Sequence, residues 1–101
     1  MINDITVFLN RLRVNQTKKK TMLKLRIVSP EKVVYDGDAV SVKVPGILGN
    51  FEILQNHAPI ISALQVGKVM FTNDEGVHEL DVHGGFVEVQ KNKVSLCVEV
   101  L

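Results

Sequence analysis

Apolar and polar residues alternate along most of this chain, and that alternation limits its fold more than any other feature. The clearest runs lie at residues 23–28, 40–44 and 94–100, where every second side chain is apolar. Period-two spacing turns one set of side chains into a core and the other set outward, as in a β-strand. No stretch after residue 22 carries the spacing of a long helix. We therefore predict an all-β domain over residues 22–101.

Turn-forming residues separate the predicted strands. Asp36-Gly37, residues 73–76 and Lys91-Asn92 all suit hairpins, since their residue types tolerate the backbone angles of tight turns. Pro45 is expected to end a strand, because proline has no amide hydrogen to donate. Many short strands at close spacing are typical of an antiparallel sandwich or barrel.

Length and composition exclude several classes of protein. The 101 residues leave room for one domain. The formal net charge is +1, and the chain has four phenylalanines, one tyrosine and no tryptophan. A nucleic-acid binder needs a basic surface and aromatic side chains for stacking, so this composition argues against that class. No apolar stretch approaches the roughly 20 residues that span a bilayer, so membrane association would come through a partner. The single cysteine, Cys97, cannot form an internal disulfide and is expected to be a small buried apolar residue.

Residues 1–21 differ in composition from the rest of the chain. Their apolar residues follow the spacing of an amphipathic helix: Ile5, Phe8, Leu9 and Leu12. Basic residues follow, which would suit a targeting or membrane-surface peptide, yet Asp4 and the lack of serine are unusual in a transit sequence. The alternative is a poorly ordered extension. We expect the domain to open at Met22 and residues 1–21 to be dispensable.

No catalytic or metal-binding pattern emerges from the sequence. His78 and His83 are five residues apart on one predicted strand, so their side chains point to opposite faces unless a bulge intervenes. His57 has no cysteine or carboxylate at ligand spacing beside it. Gly84-Gly85 lacks the lysine and hydroxyl residue of a phosphate loop and is expected to mark a bulge or a close backbone approach where a strand begins. The serines form no nucleophile elbow. We expect no active site, no cofactor and no metal.

Three segments resemble a known family. Residues 44–59, VPGILGNFEILQNHAP, lead into an apolar stretch and then Val66-Gly67. Residues 28–37, VSPEKVVYDG, lie before this run, and residues 84–90, GGFVEVQ, lie after it. In this order and spacing they are similar to the epsilon subunit of the rotary ATP synthase. The resemblance runs from Leu23 to Leu101.

This resemblance implies both a fold and a role. The family fold is an antiparallel β-sandwich of about ten short strands. The epsilon subunit has no active site and joins the gamma subunit to the membrane c ring, so that proton flow drives ATP synthesis. The chain would be peripheral on the cytoplasmic face of the bacterial inner membrane. Longer relatives continue into two C-terminal helices that can brake ATP hydrolysis, and from Leu101 as the last residue we expect coupling without that brake.

The resemblance also implies contact residues. Those matching the family's gamma contact are Ser29, His57 and Ser62. Those matching the loop that faces the c ring are Gly46, Ile47, Leu48, Gly49 and Asn50. The chain departs from the family where Gln55-Asn56 replaces the common Pro-Gly, and where Asn50 replaces a frequent acidic residue.

A free-standing β-sandwich that binds a ligand or carbohydrate is the alternative. Such a module is expected to line a groove with exposed aromatic side chains. Phe51, Phe71 and Phe86 are expected to fill the core. Only Tyr35 and Phe8 would then remain for a groove, which favours the coupling subunit.

Overall fold

A computed structural model describes residues 22–101, and they form strands joined by turns, without a helix. The predictions for residues 1–21 lie outside this range. Eight strands follow one another along the chain: β1 (Leu23–Val28), β2 (Val33–Ala39), β3 (Ser41–Gly46), β4 (Gly49–Ile53), β5 (Ile60–Leu64), β6 (Gly67–Asn73), β7 (Gly76–Gln90) and β8 (Lys93–Val100).

The strands build two layers that share β7. One layer runs β2-β1-β8-β7-β5, and the other joins β4, β3 and β6 to the first half of β7. Neighbouring strands are antiparallel, except that β1 and β8 run parallel. The predicted all-β sandwich is confirmed. The strand count is eight instead of about ten. Part of the difference is that the fifteen residues of β7 form one continuous strand that serves both layers.

The core contains the inward-facing residues of the alternating runs. Its members are apolar and at most 7% exposed: Leu23, Leu25, Ile27, Ala39, Val42, Val44, Ile53, Leu64, Val69, Phe71, Val82, Val87, Val89, Val94, Leu96 and Val98. Burying a valine or leucine side chain contributes about 1.5–3 kcal/mol relative to leaving it exposed. No polar side chain is buried within residues 22–101. The sandwich is therefore held together by apolar packing and the strand ladders.

The predicted bulge at Gly84-Gly85 is confirmed, although it lies inside β7 and not at the start of a strand. The pairing of β7 with β8 shifts register between Val82 and Gly84. Gly85 has a φ of +149°, and a Cβ on it would overlap the carbonyl oxygen of Cys97. Two strands approach closely here, and only glycine leaves the space.

Two of the three predicted hairpins are confirmed. Asp74-Glu75 turns β6 into β7, and Lys91-Asn92 turns β7 into β8 with positive φ at both residues. Asp36-Gly37, however, lies within β2. The chain turns earlier, at Ser29–Lys32, where the Ser29 amide donates to the Lys32 carbonyl (2.8 Å) and Pro30 has the fixed φ that favours a turn.

Pro45 does not end β3, contrary to expectation. The strand continues to Gly46, and Pro45 pairs with Asn50 of β4. The Pro45 carbonyl oxygen still accepts a hydrogen bond from the Gln65 amide (2.9 Å). Proline is thus accommodated at a position where its carbonyl oxygen still takes part in pairing.

The orientations predicted for three side chains were wrong. Phe86 and Cys97 are exposed, because Val87, Leu96 and Val98 take the inward positions beside them. Tyr35 is half-buried, with its ring 4.5 Å from that of Phe71 and its hydroxyl donating to the Asp38 carbonyl (2.7 Å). Tyr35 thus supports the core, while Phe86 faces outward.

Candidate functional site

The β3–β4 hairpin ends in an exposed apolar tip. Gly46 pairs with Gly49, and the two residues between them, Ile47 and Leu48, form the turn. Leu48 is 100% exposed and Ile47 is 58% exposed. A Cβ on Gly46 would lie 2.7 Å from the Gly49 carbonyl oxygen, so this tight turn requires glycine there.

Hydrogen bonds attach this tip to β5 and to the loop that follows it. The Ile47 amide donates to the Ala63 carbonyl (3.0 Å). The Gln65 side-chain amide donates to the Gly46 carbonyl (3.1 Å). These contacts fix the backbone of the tip while its two apolar side chains remain in solvent. A rigid apolar projection can enter a groove on a partner with little loss of conformational entropy.

The five residues predicted to face the c ring therefore lie together in one turn. Ile47, Leu48, Gly49 and Asn50 are exposed, whereas Gly46 is buried. Gly46 shapes the turn and is not available to touch a partner. No contact with a ring can be read from this geometry, so the assignment stays a prediction.

A second apolar surface crosses the outer face of the β2-β1-β8-β7-β5 layer. Val28 of β1 pairs with Cys97 of β8, Cys97 pairs with Phe86 of β7, and Phe86 pairs with Ala63 of β5. We call these four residues the apolar row. Phe86 is 61% exposed, and Val28, Cys97 and Phe86 line an open depression of about 480 Å³.

Polar and charged side chains border the apolar row. The next row along the strands contains Arg26, Ser95 and Glu88, and it ends at Ile61, which is 74% exposed. On the other side Glu99 pairs with Gly84 beyond the row. The apolar surface thus has carboxylates on both sides, which suits a partner that combines apolar and basic residues.

Of the three residues predicted to contact gamma, Ser29 and Ser62 adjoin the apolar row along the chain, and His57 lies apart from it. Ser29 directly follows Val28 at one end of the row, and Ser62 directly precedes Ala63 at the other. The Ser62 hydroxyl donates to the Ala63 carbonyl (3.1 Å). His57 lies in the loop before β5, where its Nδ1 donates to the Ala58 carbonyl (2.8 Å). Within residues 22–101 no recorded hydrogen bond or ring contact joins the three.

The remaining polar groups serve the fold. His78 stacks on Phe71 with ring centroids 4.9 Å apart, and its Nε2 lies 3.0 Å from Asn73 Oδ1, while His83 is exposed at the bulge. The carboxylates of Asp81 and Glu79 raise the pKa of Lys68, which pairs with both on the outer face of the second layer.

No group of His, Cys, Asp or Glu in the described part could hold a metal ion. Over the same range, no helix is long and apolar enough to cross a membrane.

Sequence reasoning missed the apolar row. Phe86 and Cys97 were expected in the core and Ile61 was not considered. A usable signal existed: Val87 and Val89, like Leu96 and Val98, mark the inward positions, so residues between them face outward. Which outward residues become neighbours depends on the pairing of four strands, which no single run reveals.

Comparison with known families and proteins identifies relatives. The family described as ATP synthase, Delta/Epsilon chain, beta-sandwich domain, matches residues 22–101. The ATP synthase epsilon chain of Leptospira interrogans (serovar Lai) is 42% identical over 77 residues, which is 76% of this chain and 61% of that one. The ATP synthase epsilon chain of Chlorobium limicola is 42% identical over 77 residues, which cover 75% of this chain and 88% of the relative. This chain thus spans about three fifths of the length of the Leptospira relative.

Two solved structures share the fold. A chain of the Euglena gracilis mitochondrial ATP synthase OSCP/F1/c-ring assembly superposes with a TM-score of 0.73 at 15% identity, covering 77% of this chain and 51% of that chain. A chain of the Tetrahymena thermophila mitochondrial ATP synthase central stalk/c-ring gives a TM-score of 0.64 at 14% identity, covering 76% and 63%. At such identities the likeness concerns the fold alone.

Proposed function

We propose that this chain, which belongs to the ATP synthase delta/epsilon chain family through its β-sandwich domain, is a rotor subunit joining gamma to the c ring. In this role the ring, this chain and gamma turn together, and proton flow is coupled to ATP synthesis. The chain itself performs no chemistry and contributes two docking surfaces held by one rigid sandwich. It is peripheral on the cytoplasmic face of the bacterial inner membrane, held there by the complex.

The observation that carries the c-ring contact is the exposed apolar tip of the β3–β4 hairpin. Among residues 22–101 nothing covers Leu48, and Ile47 beside it is more than half exposed. Burying an exposed leucine or isoleucine in a partner contributes about 1.5–3 kcal/mol each. An anchor of this kind fits the interfaces in which a few central apolar residues dominate binding.

The gamma contact is supported by the position of the apolar row. Ser29 adjoins one end of the row, so a partner that covers the row would also reach it. Ser62 precedes Ala63 at the other end but pairs with the buried Val87, so its side chain faces the opposite side of the sheet. Its exposed members, Phe86 and Cys97, offer an apolar centre with a polar rim, which is the usual anatomy of a protein interface. A partner here needs apolar side chains and a basic group to meet Glu88 or Glu99.

One observation favours the ligand-binding module as the second candidate. Phe86 is exposed and lines the depression of about 480 Å³, a volume in the range of small-molecule sites. That depression is open, and few polar groups converge on it to orient a ligand. A protein partner suits a shallow apolar surface better than a small molecule does, so the coupling subunit remains the conclusion.

The test is reconstitution of proton-driven ATP synthesis in membrane vesicles whose ATP synthase lacks epsilon. The unaltered chain should restore synthesis. Leu48→Asp should weaken c-ring binding by at least about tenfold, equivalent to 1.4 kcal/mol, and should lower synthesis at limiting chain concentrations. The matched control is Val77→Asp, which places the same charge on an exposed valine of β7 away from the tip.

Both variants should unfold at nearly the temperature of the parent, since exposed substitutions change stability by about 0.5 kcal/mol or less. Failure of the unaltered chain to restore synthesis would contradict the rotor role. Restoration that is equal with Leu48→Asp and Val77→Asp would show that the tip is not the ring contact. A small apolar molecule that binds the isolated chain and is lost with Phe86→Ala would favour the second candidate.

A further inference from the structure

We infer that the surface with which this chain docks on the c ring has two segments: the β3–β4 tip, and the β5–β6 connection at Gln65-Val66. Val66 is a second apolar contact, and Gln65 is a positioning residue that fixes the backbone of the tip. The inference rests on the proposed contact between the tip and the ring. It extends that contact to a part of the chain that is distant in sequence, since 19 residues separate Gln65 from Gly46.

Val66 projects into solvent beside the tip. It is 65% exposed, which is comparable with Ile47. Gln65, directly before it, bonds to the backbone of Pro45 and Gly46, so Val66 lies at the same end of the domain as Leu48. A single exposed valine is ordinary on a protein surface, whereas three large apolar residues on two adjoining segments are typical of a binding surface.

The β5–β6 connection packs directly against β3. The Gln65 amide donates to the Pro45 carbonyl (2.9 Å). A Cβ on Gly67 would lie only 2.7 Å from the Pro45 Cβ, so the two segments approach as closely as glycine allows. Because these contacts fix Val66 relative to the tip, both segments can meet a partner without being ordered separately.

Gln65 completes a two-sided hold on one peptide group of the tip. The carbonyl oxygen of Gly46 and the amide of Ile47 belong to the same planar peptide unit. The oxygen accepts from Gln65 Nε2 (3.1 Å), and the amide donates to the Ala63 carbonyl (3.0 Å). A planar group bonded at both ends cannot rotate freely. Gln65 therefore sets the orientation of the turn that presents Ile47 and Leu48.

An open depression of about 470 Å³ adjoins Val66 on the outer face of the second layer. Val66 lines it together with Pro45 and Asn50, and Phe51 and Met70 add apolar surface. Asn50 is also one of the residues predicted to face the ring, so the tip and Val66 border one continuous surface. The lining also includes two lysines and a glutamate, and such a mixture of apolar and polar groups is usual at a protein interface. A ring that covers the tip can place an apolar side chain here.

The contact of Val66 is tested by titrating the full chain into vesicles whose ATP synthase lacks epsilon. The measured quantity is the chain concentration that restores half of the maximal proton-driven ATP synthesis. Val66→Asp should raise it about tenfold, and the uncharged Val66→Ser about threefold, since both remove apolar contact area. Val77→Asp is the matched control, because Val77 is 61% exposed and lies away from the tip, and it should match the parent. All variants should unfold at nearly the parent's temperature.

The positioning role of Gln65 is tested by a pair of substitutions of similar length. Gln65→Met removes the donor, whereas Gln65→Lys keeps one. Hydrogen exchange at the Ile47 amide should be about fivefold faster in Gln65→Met, because the peptide is then held at one end only. The half-maximal concentration should rise about threefold in the same variant. Gln65→Lys should bring both quantities back toward the parent, which a general loss of stability would not explain.

Leu48→Asp, measured in the same titration, separates this inference from the proposed ring contact. A raised half-maximal concentration for both Leu48→Asp and Val66→Asp supports the two-segment surface. If Leu48→Asp raises it while Val66→Asp matches Val77→Asp, the ring contact stands and the second segment is overturned. If Leu48→Asp behaves as the parent does, the ring contact fails and the inference fails with it. Unchanged exchange at Ile47 in Gln65→Met would overturn the positioning role.

Discussion

Among the glycines, Gly85 leaves the least room for a side chain. A Cβ there would overlap the Cys97 carbonyl oxygen and would lie 2.8 Å from the Val98 Cα. Both obstacles are backbone atoms, so neither can rotate away as a side chain could. The close approach of β7 and β8 at Gly85 places the bulge directly beside Phe86 on the outer surface.

Gly85→Ala should destabilise the fold by about 3 kcal/mol, through steric overlap with β8 and a positive φ that alanine disfavours. Gly49→Ala is the matched control, since Gly49 has a similar φ of +136° but nothing within 4 Å of its added Cβ. The free energy of unfolding of Gly49→Ala should fall by only about 1 kcal/mol. Urea unfolding of both variants measures the difference. Equal losses would mean that strand approach contributes nothing beyond backbone strain.

His57 and the two serines test the proposed gamma contact. His57→Ala should weaken gamma binding and leave the fold nearly intact. The residue is only half-buried, its ring bonds to the carbonyl of the neighbouring Ala58, and its backbone bond to the Leu54 carbonyl survives the substitution. Ser29→Asp and Ser62→Asp should weaken gamma binding at least as much, since the first places a charge at the end of the apolar row and the second places one on the half-buried side of β5 beside it. Isothermal titration with isolated gamma measures the affinities. An unchanged affinity in all three variants would show that gamma binds elsewhere.

Side-chain orientation was only partly predictable from the sequence. The inward positions of β8, at Val94, Leu96 and Val98, followed directly from their spacing. Cys97 and Phe86 were misassigned because residue type was given more weight than position in the alternation. Tyr35 was misassigned for the opposite reason: its partners Phe71 and Asn73 are distant in sequence, and only the fold brings their atoms to the ring and hydroxyl.

The β7–β8 hairpin is tied to the loop after β4 by two asparagines. The Asn56 amide donates to Asn92 Oδ1 (2.6 Å), and the Asn92 side-chain amide donates back to Asn56 Oδ1 (3.4 Å). Both residues have positive φ, at 67° and 62°. Asparagine tolerates this conformation better than most residues and also supplies the cross-link, so it satisfies both demands.

A substitution series at Asn92 separates these two demands. Asn92→Gly keeps the positive φ but loses the cross-link, and should cost about 1 kcal/mol. Asn92→Ala loses both and should cost about 2 kcal/mol. Asn92→Asp keeps the acceptor oxygen and should be closest to the parent. Urea unfolding gives the order, and faster hydrogen exchange at the Asn56 amide in the Gly variant checks the cross-link. Equal stability of Asn92→Gly and Asn92→Asp would show that the cross-link does not contribute to stability.

The strands were more predictable than the turns between them. Lys91-Asn92 and residues 73–76 were recognised as hairpins because their residue types lie between two alternating runs. The hairpin predicted at Asp36-Gly37 was wrong because a turn-forming pair can also lie within a strand. Gly37 does so, beneath the Tyr35 ring. The actual turn at Ser29–Lys32 contains the less conspicuous Pro30. Residue type indicates several candidate turns, but strand pairing determines which of them form.

The surfaces were the least predictable feature of the domain. The β3–β4 tip is local in sequence, so its residues could be named together beforehand. The apolar row draws one residue from each of β1, β8, β7 and β5, and it depends on a parallel pairing of β1 with β8 that no alternation pattern specifies. Sequence resemblance identified residues beside the row, at Ser29 and Ser62, without revealing the surface between them.

The complete domain should fold from residues 22–101 alone. Every member of the core described above lies between Leu23 and Val98, and the strand ladders close within the same range. Removing residues 1–21 should therefore change the free energy of unfolding by less than about 1 kcal/mol. Affinity for gamma should stay nearly equal. Thermal unfolding and titration with gamma measure the two quantities. A large loss in either would mean that residues 1–21 are an integral part of the domain, and would contradict the boundary at Met22.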